Sequence, residues 1–292
     1  IDKEATDSFA PWAIAAFGFG QTVGCPLFGW VSNKLKNNKS PMIIGMIFMI
    51  IGNTGYCMVE LFPYGRRWLI FTFRVITGFG GGIAGVIRAY CATAAKSEEY
   101  TKAVTGATAT LALAIMAGPG AQAMFTPIGF PGFTVASLPI HMFNAPGWIS
   151  IVAALICVYL LHKLLIEEYP GIQTHHDFSI MPKYDSLAAW TLIFCWFAIY
   201  LTLTSFVMIG KSYTMVMFHW SFDEAVVDNG IIMGVFALVS LSVFVIYAFY
   251  GKRLDERFLI FSGTTMMISF WLITFPWPAL PELLDEADAS MY

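Results

Sequence analysis

The chain has 292 residues, of which 58% are hydrophobic and only 12% are charged, and its mean hydropathy is +0.68. Soluble domains carry about 25% charged residues, so this composition indicates an integral membrane protein and argues against a soluble globular class. The formal net charge of −3 says little about partners. We expect the lipid bilayer to surround the chain, and we expect no nucleic-acid partner.

Long apolar segments predict eight transmembrane helices. Runs without Asp, Glu, Lys or Arg cover residues 8–33, 40–59, 103–162, 186–210, 229–251 and 258–281. Each is at least as long as the roughly 20 residues that a helix needs to cross the hydrocarbon core. The third run is long enough for two crossings, with a break between Pro119 and Pro146 where Pro and Gly cluster.

Adding the arginine-bearing segment gives the predicted helices. They are 8–31, 41–61, 67–95, 102–127, 145–166, 187–211, 225–250 and 257–276. The runs are continuously apolar rather than alternating, which argues against a spanning β-barrel. The sequence therefore predicts an all-α integral membrane fold.

The third predicted helix carries two arginines and a glycine cluster. An arginine in a lipid-spanning helix costs several kcal/mol unless it faces protein or water, so Arg74 and Arg88 are candidate residues of a solute path. Structural pairing or snorkelling to a headgroup is the alternative for both. Gly78, Gly80 and Gly82 favour close helix packing rather than a dinucleotide loop, because they lie within a membrane helix and follow no strand.

The two arginines limit the chemistry of the path. On one continuous helix they would project within about 40° of each other and lie about 21 Å apart along the axis. No Asp or Glu lies in the middle of any predicted helix, so the arginines favour a small anionic solute or ion. Gln21 and Gln122 are further candidate lining residues, although a hydrogen bond between helices explains each equally well.

The distribution of basic residues predicts the orientation. With the loops 32–40, 96–101, 163–186 and 251–256 and their flanking residues in the cytosol, ten basic residues lie on that side and three or four on the other. This is the direction of the positive-inside rule, and it makes the first visible helix run inward. An inward-running first helix and an initial Ile suggest that at least one helix precedes the sequence.

Two cytosolic loops share a pattern. Gly29, Asn33 and Lys34 follow the first helix, and Gly251, Asp255 and Arg257 follow the seventh. In such a loop the glycine allows close helix approach, the Asx side chain can cap the next helix, and the basic residues bind phosphate or carboxylate groups. The repetition implies two related halves.

These loops resemble the hallmark of the major facilitator superfamily, which lies between the second and third helices and again between the eighth and ninth. The resemblance implies that the visible helices are the second to ninth of twelve, so that the chain is a fragment. It implies an N-terminal half over 1–166, a cytosolic linker over 167–186 and the start of the C-terminal half over 187–292. Arg74 and the glycines after it resemble the fourth-helix motif of the superfamily.

Two further features carry the resemblance. Gly118 and Pro119 resemble the fifth-helix motif of exporters, although Ala114 replaces an expected glycine. Within the superfamily, tracts from Gly20 to Asn33, Gly78 to Tyr90 and Trp220 to Ile232 are similar to the lysosomal ceroid-lipofuscinosis family, that of domain-containing protein 8. This resemblance implies a multi-pass protein of the lysosomal or endosomal membrane.

Three functions remain open from the sequence. The first is a monomeric secondary transporter whose two halves rock around a central site. The second, which the family resemblance permits, is a lysosomal chloride channel on the same fold, and the third is a receptor or scaffold without transport. No nucleophile–base pair, phosphate loop or metal-type cluster is visible, so we expect no enzyme activity, no cofactor and no metal.

Overall fold

The computed structural model describes residues 9–96, 98–135, 138–168, 185–251 and 255–275. Over these ranges, the chain forms nine α-helices. They are α1 (Phe9–Leu35), α2 (Lys39–Cys57), α3 (Arg66–Gly81), α4 (Ala84–Ala94), α5 (Tyr100–Phe125), α6 (Ala145–Lys163), α7 (Ser186–Phe218), α8 (Phe222–Tyr250) and α9 (Glu256–Thr274).

All eight predicted segments are helical, and the third is divided into α3 and α4. Seven of the helical stretches are long and apolar enough to span a membrane, with α3 and α4 counted as one stretch. The apolar part of α9, Arg257–Ile273, is shorter. The all-α membrane fold is thus confirmed, while most of the predicted linker 167–186 lies outside the described residues.

The division of the third segment falls at Gly82 and Ile83. The backbone N–H of Gly82 donates to the carbonyl of Phe79 over 3.0 Å, a tighter bond than the α-helical pattern. The helical-wheel projection that put Arg74 and Arg88 on one face assumed an unbroken helix. The tighter turn changes the angle between the two side chains, so the shared face stays a prediction.

The segment between α5 and α6 contains structure that the sequence did not predict. A 3-10 turn, Thr126–Ile128, precedes two antiparallel strands, β1 (Phe133–Val135) and β2 (Leu138–Ile140). Gly132 lies just before β1 with a φ of +72°, a conformation that glycine adopts without strain. Strand pairing satisfies backbone groups that a coil would leave unpaired near the membrane.

Contacts divide the molecule into two units, of which the first holds 9–96, 98–135, 138–168 and 226–241 among the described residues. Within it, α3 packs against both α1 and α2, α2 packs against α6, and α5 contacts α4. A core of Phe28, Met42, Ile83 and Val86 joins these helices. The ring of Phe79 lies between them, 5.2 Å from that of Phe28.

The second unit holds 185–225 and 242–275 among the described residues. Here α7 begins at an Asp185 cap, whose side chain accepts bonds from the backbone of Leu187 and Ala188. Ser221 and Glu224 form the capping box that the sequence predicts at the start of α8, which is confirmed. Thr202 of α7 and Phe270 of α9 line one shared apolar groove.

Candidate functional site

Arg74 lies about two turns into α3, and its side chain is half-buried. The guanidinium carbon is 4.7 Å from the centroid of the Tyr56 ring, near the end of α2. A cation over an aromatic face gains about 1–2 kcal/mol when both are partly desolvated. Arg74 therefore faces protein within the helix bundle, as expected for a charge in a membrane span.

Small residues bring α3 against its two neighbours. A Cβ built on Gly78 would lie 2.0 Å from the carbonyl oxygen of Phe17, and one on Gly82 would lie 2.4 Å from the backbone of Gly24. On the opposite side, a Cβ on Gly80 would lie 2.5 Å from the carbonyl oxygen of Gly45. These backbone contacts leave no room for a side chain, and they fix the helix that carries Arg74.

The other candidate path residues contact different parts of the first unit. Gln21 donates to the carbonyl of Gly81 over 3.5 Å, beside the break between α3 and α4. Gln122 donates to the carbonyl of Met142 over 2.8 Å and so holds the end of α5 to the segment before α6. Arg88 is half-buried in α4, beyond the break from Arg74.

The fifth-helix motif lies within α5. Gly118 is exposed, and among the described residues no heavy atom lies within 4 Å of a Cβ built there. The helix continues through Pro119 to Phe125. Close packing of the kind seen at Gly78 is therefore not present at Gly118 in the described part of the chain.

The loop between α1 and α2 borders a cleft of about 530 Å³ between α1 and α4. Gly29 and Asn33 line this cleft, and a Cβ on Gly29 would meet no described heavy atom within 4 Å. The close approach expected at Gly29 is therefore wrong for the described residues. Lys34 instead lies over Trp30, with its Nζ 4.7 Å from the ring centroid.

The cap expected from Asn33 comes from another residue. Asn33 is exposed, while Asn37 Oδ1 accepts the backbone N–H of Ser40 over 2.8 Å in the first turn of α2. The loop is long enough to bring Asn37, rather than Asn33, to the helix start. Glu167 also accepts a bond from the backbone N–H of Lys39.

The second loop has the expected local geometry at its end. Asp255 is the N-cap of α9, and its Oδ1 accepts the backbone N–H of Arg257 over 2.9 Å. The Arg257 side chain is exposed. Gly251 is buried, with a built Cβ 3.1 Å from the Tyr247 ring.

Lys39 ties the start of α2 to the end of α6. Its Nζ donates to the carbonyls of His162 over 3.0 Å and Leu165 over 2.9 Å. Those carbonyls belong to the last turn of α6 and the residues after it, where a cation is favourable. Lys39 therefore joins the two helix ends twice, through its side-chain ammonium group and through the bond from its backbone N–H to Glu167.

Substituting Lys39 by Met should therefore lower stability by about 1–2 kcal/mol, because two partly exposed charge-assisted bonds are lost. Thermal unfolding of the full-length protein in detergent would measure this as a fall of a few degrees in Tm. Lys36→Met is the matched control, since Lys36 is exposed on the same loop. Equal Tm values for the two variants would contradict a stabilising role of Lys39.

The structure also forms a contact that the sequence did not predict. His141 is 2% exposed, and its Nε2 lies 3.1 Å from Glu60 Oε1. Its Nδ1 accepts the backbone N–H of Phe143 over 3.2 Å. The available signal is weak: His141 is the one ionisable side chain between α5 and α6, and Glu60 lies 81 positions before it in the sequence.

Comparisons with known proteins agree with this architecture. The profile of the Major Facilitator Superfamily matches residues 2–284. Major facilitator superfamily domain-containing protein 8 of Xenopus laevis is 27% identical over an alignment of 292 residues. The alignment covers 95% of this chain and 57% of that protein. No solved structure gives a significant match.

The relative belongs to the family that the motifs of this sequence resemble. This chain spans somewhat more than half the length of that relative. The superfamily profile, in contrast, extends over nearly all of the present sequence and includes both repeated loops. With its helical architecture and apolar spans, the chain belongs to the Major Facilitator Superfamily.

Proposed function

We propose that the protein is a secondary transporter that moves a small anionic solute across a lysosomal or endosomal membrane by alternating access. The observation that carries the proposal is the position of Arg74. It is a half-buried cation on α3, and it faces Tyr56 inside a bundle that belongs to a transporter superfamily. Transporters of this superfamily place their solute site near the membrane midplane between two helical halves.

The charge balance of the helices supports an anion. The helices α1 to α6 contain no Asp or Glu, so no acid within them neutralises Arg74. The Tyr56 ring offers only the partial negative charge of an aromatic face. An anionic solute would supply the opposite charge and form charge-assisted hydrogen bonds with the guanidinium group.

The packing of α3 against α1 and α2 supports movement of these three helices as one rigid body. Its glycines hold α3 against α1 and α2 by backbone contact, so these three helices have little freedom to slide past one another. Rigid groups of helices that rock together are what alternating access requires. The lysosomal or endosomal location is supported by the motifs shared with the ceroid-lipofuscinosis family.

Flux measurements on the full-length protein in liposomes test this function. We expect uptake of radiolabelled anion that saturates with concentration and accelerates when the same solute is loaded on the opposite side. A carrier behaves in this way because it changes from one facing state to the other faster with solute bound than when it is empty. Vesicles without protein are the control.

Two results would contradict the carrier. A current in enlarged endolysosomes that reverses near the chloride equilibrium potential, without saturation or exchange, would establish a channel. Absence of both flux and current for a panel of anions would favour a receptor or scaffold role.

A further inference from the structure

We infer that Glu60 and His141 form a proton-binding site, in which uptake of a proton by His141 displaces the turn at Phe143. The pair lies at the end of the bundle that the distribution of basic residues places away from the cytosol. This inference does not depend on which solute the protein moves. It concerns Glu60 and His141, two side chains that the proposed anion site does not include.

The hydrogen bonds assign the protonation state of His141 in this structure. The ring accepts at Nδ1 from the backbone N–H of Phe143, so Nδ1 carries no proton. The proton is therefore on Nε2, which points at the Glu60 carboxylate 3.1 Å away. His141 is a neutral imidazole here, held between one donor and one acceptor.

The surrounding residues hold the imidazole ring in place. The backbone N–H of His141 donates to Asn144 Oδ1 over 2.9 Å, and Asn144 Nδ2 donates to the carbonyl of Pro139 over 2.7 Å. The rings of Phe130 and Phe143 stand edge-on to the imidazole at centroid distances of 5.3 and 5.8 Å. Because His141 is 2% exposed, water cannot replace a lost hydrogen bond without some rearrangement.

Charged and titratable groups face the pair from two neighbouring elements. The end of α2 and the turn after it contribute Tyr56, Cys57 and Glu60, which line one small cavity with His141. From α3, Arg66 donates to the carbonyl of Glu60 over 3.1 Å and fixes that turn. Glu60 is 21% exposed, which gives protons a route to the buried ring.

A second proton changes this balance. An imidazole takes up a proton at higher pH than a carboxylate, and histidine changes charge between about pH 5 and 8. The imidazolium keeps and strengthens its contact with Glu60 through Nε2. Its new Nδ1–H, however, would face the backbone N–H of Phe143. Two buried hydrogen-bond donors would then point at each other, so the turn at Phe143 must move.

The movement should reach the strands and α5. Met142, adjacent to this turn, accepts the bond from Gln122, and β2 ends one residue before His141. Cys57 Sγ donates to the carbonyl of Asn144 over 3.5 Å and links the same turn to α2. Tyr56, next to Cys57, is the residue under Arg74, so the proton site borders the proposed anion site.

Pulsed electron paramagnetic resonance on the full-length protein tests the inference. Nitroxides at Tyr64→Cys and Phe133→Cys report the distance between the Glu60 loop and β1. Both positions can accept a label, since the native side chains are 87% and 51% exposed. Other cysteines are replaced, with Cys57→Ser to keep its donor. We expect the distance distribution to change between pH 8 and pH 5 with one midpoint.

Two variants identify the titrating pair. His141→Gln keeps a donor and an acceptor but cannot gain charge, so its distance distribution should stay the same at every pH. Glu60→Gln removes the charge that stabilises the imidazolium, so the midpoint of the distance change should move to lower pH. A pH-independent distribution in the parent protein, or an unchanged midpoint in Glu60→Gln, would overturn the inference even if His141→Gln did not fold.

Discussion

Replacing Arg74 by alanine should reduce anion transport by about 10- to 150-fold while the protein still folds. Hydrogen bonds to a charged group contribute about 1.5–3 kcal/mol, and each 1.4 kcal/mol corresponds to a factor of ten. The Arg74 side chain lies over Tyr56 and is half-buried, so its loss removes a cation from the interior of the first unit. Anion flux into liposomes that contain equal amounts of protein measures the effect.

Two variants separate charge from packing at this position. Arg74→Lys keeps the charge but loses the planar fork of donors, so we expect partial activity between that of the parent protein and of Arg74→Ala. Thr72→Ala is the matched control, because Thr72 is exposed on α3 and its hydroxyl donates to the carbonyl of Trp68 within the same helix. Full activity in Arg74→Ala would exclude the arginine from the solute path.

The sequence predicted the number and order of the helical segments because long apolar runs have few alternatives in a membrane. It did not predict the break at Gly82 and Ile83. Gly82 lies against the backbone of Gly24, and this contact between distant parts of the chain is what distinguishes its place from that of Gly85. The composition of a single segment cannot predict a contact with a distant part of the chain.

The repeated loops show a similar limit. At Asp255 the Asx residue directly precedes α9, so local sequence is enough to predict the cap. At Asn33 the helix α1 continues to Leu35, and the loop then brings Asn37 to the start of α2. The motif spacing is alike in the two loops, but the end of the preceding helix determines which side chain can cap.

The Glu60–His141 contact could not be predicted from either residue alone. Glu60 lies three residues after the end of α2, and His141 lies in a segment that the sequence assigned only as a break. Folding of α2 against α6 and the bend after β2 bring the two side chains together. A contact between residues so far apart in sequence depends on how whole helices pack, and no local sequence pattern predicts it.

Substituting Gly78 by alanine should prevent the first unit from packing correctly. The new Cβ would lie 2.0 Å from the carbonyl oxygen of Phe17, and both atoms belong to, or extend from, rigid helix backbones. Relief requires α1 and α3 to separate, with loss of contacts along both helices. Overpacking of this kind costs about 3 kcal/mol or more, a large part of a typical stability of about 5–15 kcal/mol.

Size-exclusion profiles and Tm in detergent would measure this loss, and Gly82→Ala should behave similarly because its Cβ would lie 2.4 Å from Gly24. Gly106→Ala is the matched control. Gly106 is exposed within α5, and no described heavy atom lies within 4 Å of a Cβ there. Alanine is favoured over glycine by about 1 kcal/mol in a helix, so this control should keep or raise the Tm. A normal Tm in Gly78→Ala would show that α1 and α3 do not depend on backbone contact at this position.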